Sequence, residues 1–164
     1  YKRQVVGSMD YTPVTFSNKI RQGVPAIRKT TVAHQLALAV VFESGFQCFA
    51  DRAEAYLALP EQPKQFLKDV PAAWDESCLL AGYPSDYVII ARRSGNDWYI
   101  GGINGKNEDR ELEFTLPAAC KDKSFKMITD GADKDMFDYR TVENTNGMVK
   151  VKLLPNGGFA GVIR

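Results

Sequence analysis

The sequence predicts an α+β chain in two parts. A short α/β stretch precedes a boundary at Ala72–Ser77, and an all-β antiparallel sandwich follows it. Three observations carry this. A nearly all-apolar run, Thr31 to Glu43, has the length of a buried helix. Strand-length segments flank it, and each closes on an aspartate. From Ser77 onward helical periodicity vanishes, and short runs with period-2 alternation are separated by turn signals.

Taken in order, Val5-Val6-Gly7-Ser8-Met9 reads as a short strand ended by Asp10. Tyr11 to Lys29 reads as a loop, punctuated by Pro13, Asn18, Gly23 and Pro25. Its basic residues Lys19, Arg21, Arg28 and Lys29 read as a solvated face. Leu36, Ala37, Ala39, Val40 and Val41 leave the following helix almost no polar side, so it is packed all round. Crossing a membrane takes about 20 apolar residues, and this run is shorter. Thr30 or Thr31 suits the N-cap and Gly45 the stop after the last turn. Phe46 to Ala50 has the length of a buried strand, closed by Asp51, with Cys48 as a buried thiol.

A helix running directly into a strand is half of a βαβ unit. In parallel α/β architectures ligands sit at the C-terminal ends of the strands. Asp10 and Asp51 are therefore candidates for ligand contact, although aspartate also serves as a cap at strand and helix ends.

Ala53 to Leu59 reads as a short helix. Pro63 suits the first position of another, with Phe66, Leu67 and Val70 on its apolar side and Pro71 ending it. Trp74 reads as a packing residue at the junction. The β-like runs are Cys78–Ala81, Tyr87–Arg92, Trp98–Ile103, Leu112–Leu116, Phe125–Thr129, Val149–Leu153 and Phe159–Ile163. Ser94-Gly95-Asn96-Asp97 is a hairpin turn. Asp130 to Gly147 reads as a polar loop. About seven short strands argue for a sandwich, and clean alternation in two of them means one wet face. Leu112, Phe114, Val149, Val151 and Leu153 are expected to face inward.

The 164 residues are 45% apolar and 25% charged, with a formal net charge of +1. That balance gives no reason to expect nucleic acid or an anionic membrane as partner. Cys48, Cys78 and Cys120 are far apart and form no zinc-type pair. One histidine, His34, cannot supply a multi-histidine metal site, and it reads as packed or capping. Gly101-Gly102-Ile103-Asn104-Gly105 lies within and after a strand, so it reads as a turn or bulge rather than a phosphate cradle. Trp98 and Tyr99 are the aromatics a sugar platform would use, but neighbours on a strand face opposite ways, so one at most could serve. Glu43, at a helix end, reads as a surface residue or a structural hydrogen-bonding one. Asp10 and Asp51 could share a ligand, but the pattern alone assigns them no acid–base roles. The chain begins at Tyr1 without methionine and looks like the middle of something; composition does not choose between a truncated piece, a proteolytic product and a genuine short protein.

Together, VVGSMDYTPVTFSN at 5–18, TVAHQLALAVVFESGFQCFAD at 31–51, FLKDVPAAWDES at 66–77 and RRSGNDWYIGGING at 92–105 resemble glycoside hydrolase family 97. The resemblance runs over most of the chain and keeps motif order. It implies a bacterial α-glucosidase or α-galactosidase, acting on α-linked oligosaccharides in a periplasmic or extracellular setting. Residues 1–72 would then be the tail of a (β/α)8 barrel, and 73–164 the C-terminal antiparallel β-sandwich domain.

The family uses calcium near its catalytic carboxylates. Those carboxylates and the calcium ligands would lie upstream of the MDYTP motif, so none maps onto this chain. Asp10, Tyr11 and Asp51 map to motifs at the barrel's ligand-facing end, which makes them candidates for the rim of the substrate pocket. The β domain is expected to be structural or oligomerising, with carbohydrate binding as the alternative. Residues 1–72 are expected to be the less protected part, with the rest of the parent protein or another copy as partner.

Overall fold

The computed structural model describes residues 14–18, 27–143 and 147–164. The expected strand Val5–Met9 and the candidates Asp10 and Tyr11 lie outside these residues. The described elements are α1 (Val32–Val41), α2 (Ala53–Leu57) and α3 (Glu61–Asp69), followed by eight strands and, between the fourth and fifth of them, a 3-10 turn at Ala118–Cys120. The strands are β1 (Glu76–Tyr83), β2 (Tyr87–Ser94), β3 (Asp97–Asn104), β4 (Arg110–Thr115), β5 (Ser124–Asp130), β6 (Phe137–Glu143), β7 (Met148–Leu153) and β8 (Gly158–Ile163).

Six strands form one antiparallel sheet in the order β1-β2-β3-β8-β5-β6, and β4 pairs with β7 as a separate ribbon. The two faces of the large sheet are covered differently. The β4–β7 ribbon lays Leu112, Phe114, Val149, Val151 and Leu153 over Ile89, Ile100, Phe125 and Phe159. Helix α1 lays Leu36, Ala37, Val40 and Val41 over Ile90, Tyr99, Ile128 and Ala160. The result is helix, sheet and ribbon in three layers. The ribbon shows the alternation its sequence predicts, apolar inward and charged outward. The central strands β2, β3 and β8 are covered on both sides and are mostly apolar at successive positions.

Helix α1 begins as expected, with the Thr31 hydroxyl accepting from the His34 amide at 3.0 Å. Its end differs. The helix stops at Val41, Phe42 is already extended, and Gly45 plays no part in the stop. Arg92 replaces the glycine cap. Its Nε donates to the Val40 carbonyl at 2.7 Å and another guanidinium nitrogen to the Val41 carbonyl at 3.3 Å. A cation at the negative end of a helix satisfies orphan carbonyls and the dipole together.

The helix lies close because two glycines let it. A Cβ at Gly101 would come within 2.9 Å of the Val40 Cβ, and one at Gly158 within 2.7 Å of the His34 Cα. Gly101 and Gly102 therefore sit in unbroken register with β2 and β8, as a seat for neighbours and not as the turn or bulge expected. Backbone bonds fasten the start of α1: Thr31 N to Asn156 O at 3.2 Å and Val32 N to Lys134 O at 2.8 Å. Helix α1 is thus part of the core of the sheet, and a lower protection for residues 32–41 is not what this packing supports.

Other expectations are corrected. Phe46 to Ala50 is not a buried strand: only Gln47 makes a bridge, Phe46 is 69% exposed, and Cys48 is half-buried. A run of five with four apolar residues has the composition of a strand but needs a neighbour on its ladder to become one. Helix α3 is capped by Pro60, with Pro63 in its first turn but not at its first position. The polar loop after Asp130 contains β6, whose residues are largely exposed and so lack an apolar signal. Among the described residues eight strands result, where about seven were expected. Arg28 is buried rather than solvated, bonded to the Thr30 carbonyl and paired with Asp135.

Candidate functional site

Asp51 is the one expected rim residue that the structure describes. It follows the irregular stretch after α1 and precedes α2, and it works as a clasp. One carboxylate oxygen accepts from the amides of Phe16 at 2.8 Å and Ser17 at 2.7 Å. The other accepts from the Ser17 hydroxyl at 2.7 Å and the Arg52 amide at 2.8 Å. Tyr56 completes the arrangement, its hydroxyl donating to the Val14 carbonyl at 2.6 Å and accepting from the Asp51 amide at 2.9 Å. Burial opposes ionisation of Asp51, but the bonds from Ser17, Arg52 and Phe16 prevail and hold its pKa below the ordinary carboxylate value. An anion with four donors on it is held ionised and is a poor proton donor.

The remaining buried polar groups stitch α1 to the sheet. Asp130 accepts from the amides of Leu154 at 2.9 Å and Gly158 at 3.1 Å. Burial raises its pKa, against these bonds and one with Thr31. His34 is buried with Nδ1 3.1 Å from the Gly157 carbonyl, so the neutral ring donates there. Burial pushes its pKa down to about 4. Arg92 also reaches the Ser77 hydroxyl at 2.6 Å and Glu43 at 3.1 Å, and it lies 6.0 Å from the Trp74 ring. Glu43 is structural, as its position predicts, and Trp74 packs at 5.5 Å edge-on to Tyr99. Sequence reasoning missed Arg92 and Asp130, which sit in or at the end of strands and whose partners are distant in the chain.

Trp98 and Tyr99 are both buried, on opposite faces of β3, and form no sugar platform. Two open hollows flank Tyr139. One, about 370 Å³, lies between α3 and strands β5, β6 and β8, with Gln62, Gln65, Lys126 and Arg140 on its walls. The other, about 710 Å³, lies between residues 16–18, α2 and the approach to β6. Among the described residues each has a single carboxylate on its wall, Asp69 in the first and Asp135 in the second. Each is tied to arginine: Asp69 to Arg164 and Asp135 to Arg28. Glycoside hydrolysis takes two carboxyl groups across the bond, and among the described residues neither hollow brings two together.

Among the described residues, no three histidine, cysteine or acidic side chains converge as a cation site. The oxygens of Asp51, turned on amide and hydroxyl donors, do not fit calcium either.

Comparison with known proteins agrees with this picture. The chain is 36% identical over 170 residues to a retaining alpha-galactosidase of Bacteroides thetaiotaomicron, covering 96% of this chain and 25% of that protein. A glycoside hydrolase family 97 enzyme from Pseudoalteromonas sp. strain K8, solved with panose, superposes with TM-score 0.79 at 32% identity, over 99% of this chain and 27% of that one. The crystal structure of a beta-arabinopyranosidase superposes with TM-score 0.88 at 29% identity, over 98% and 26%. The chain thus spans about a quarter of the length of the relatives it matches. A family model described as glycosyl-hydrolase 97 C-terminal, oligomerisation, matches residues 73–164. With that match over more than half its length, the chain belongs to glycoside hydrolase family 97.

Proposed function

We propose that this chain is the C-terminal portion of an α-glycoside hydrolase, acting on α-galactosides or α-glucosides as a whole protein and inactive as these residues alone. The observation that supports this most directly is the likeness to a retaining alpha-galactosidase along 96% of this chain but 25% of the relative. Residues 1–72 are read as the tail of a (β/α)8 barrel and 73–164 as the domain that holds copies of the enzyme together. The carboxylates in the hollows support the inactive reading, since among the described residues each stands alone. Calcium, where the whole enzyme uses it, is read as held by residues upstream of this chain.

On this reading Asp10, Tyr11 and Asp51 stand at the rim of the barrel's pocket. Asp51 there is a positioning residue. It grips Phe16 and Ser17, and so fixes the described segment 14–18. Carbohydrate binding by the β domain is the weaker reading, because Trp98 and Tyr99 are buried.

The test is an assay of the purified chain on aryl α-galactosides and α-glucosides, with and without calcium. No turnover is expected from the chain alone, and turnover is expected when the upstream part of the parent protein is supplied. Turnover by the chain alone, lost in Asp51→Asn, would overturn the proposal.

A further inference from the structure

The six-stranded sheet has two edges, and they are built differently. Strand β6 carries Asp138, Arg140 and Glu143 along its seven residues, with Arg140 paired to Asp138 at 3.1 Å. Strand β1 carries six uncharged residues in a row, Cys78 to Tyr83. Leu79 is 64% exposed and Tyr83 71%. β1 is eight residues long, as long as the central strands β2 and β3. Natural edges are guarded by charge, proline, bulges or brevity, because a bare edge is a template for another strand. β1 has one such device, the bulge at Leu80. It has none of the others between Cys78 and Tyr83.

We propose that two copies of this chain join through β1, the strands running antiparallel about a two-fold axis so that two six-stranded sheets become one. This rests on the oligomerising reading of residues 73–164 and names the surface that does it. A second copy is the occupant because a two-fold contact needs one self-complementary patch, and an uncharged strand complements itself. Charge selects the antiparallel direction. Glu76 stands at one end of β1, bonded to Arg93 at 3.2 Å. Antiparallel pairing puts the two Glu76 side chains at opposite ends of the contact, whereas parallel pairing in register would put them side by side. Leu79 pairs with Ile90, whose side chain lies on the α1 face, while Tyr83 pairs with Tyr87, which lies on the ribbon face. The joined sheets would therefore gain apolar cover on both sides.

Analytical ultracentrifugation of the 164-residue chain across a concentration series tests this. The wild-type chain is expected to reach twice its monomer mass. Leu79→Lys with Tyr83→Lys, both at exposed positions, is expected to raise the dissociation constant by at least about tenfold. Met136→Lys with Tyr139→Lys, near the other edge, is expected to leave it unchanged. A chain that stays monomeric at every concentration overturns both this proposal and the oligomerising reading. A dimer that survives the β1 substitutions overturns the β1 assignment alone. Should the β1 variant fail to fold, hydrogen exchange on the wild-type chain decides. Protection of β1 amides that rises with concentration supports the contact; concentration-dependent protection on β6 instead overturns it.

Discussion

His34 shows how one buried ring sets a pH response. Its ordinary value of 6.5 falls to about 4 in the folded chain. Between those values the unfolded chain binds a proton that the folded chain refuses. Stability from this group is therefore full above pH 6.5 and is lost as the pH falls toward 4, by about 3 kcal/mol in total. Asp130, raised by burial, acts in the opposite sense, so wild type and a His34 variant must be compared directly. Urea midpoints between pH 7 and 4 should fall more steeply for wild type than for His34→Gln, and identical slopes would refute the assignment. Arg92 makes a second prediction at this scale. Arg92→Met leaves two carbonyls of α1 without their donor and Glu43 without its partner. A loss of about 2–4 kcal/mol is expected in chemical denaturation, with Arg92→Lys in between, since an ammonium cannot span the same fork.

At the scale of the element, the ribbon is the most legible part of the molecule. β4 and β7 alternate one for one between core and water, and their period alone places Leu112, Phe114, Val149, Val151 and Leu153. Val151→Asp should abolish cooperative thermal unfolding, because it puts a charge beneath the sheet. Lys150→Asp, on the wet face opposite Glu113, should cost no more than about 1 kcal/mol. Equal melting curves for the two would mean the faces are reversed. Strand β6 was illegible for the converse reason: it has too little buried side to print a pattern. Phe46 to Ala50 misled because an apolar run carries composition but no ladder. The clasp at Asp51 was half legible. Its place after an apolar run marked it as special, but its grip on Phe16 and Ser17 spans 34 residues or more, which local pattern does not report.

At the scale of the whole molecule, the division near residue 72 is a boundary of pattern that the packing crosses. Helix α1 covers the sheet and is fastened at both ends, by Asn156 and Lys134 at its start and by Arg92 at its finish. A protein of residues 73–164 alone would lay bare Ile90, Tyr99, Ile128 and Ala160. It should bind a hydrophobic dye and melt below the 164-residue chain, and an equal melting temperature would refute this. The glycine seat under α1 also bears on inheritance. Gly101 and Gly158 admit this helix because they carry no Cβ, and they would leave a hollow beneath a differently shaped one. A recombination event that exchanged the β domain between two such enzymes at the pattern boundary would separate seat from helix. Exchanges that succeed should carry both, so crossovers ahead of Thr31 should survive selection where crossovers at residue 73 do not.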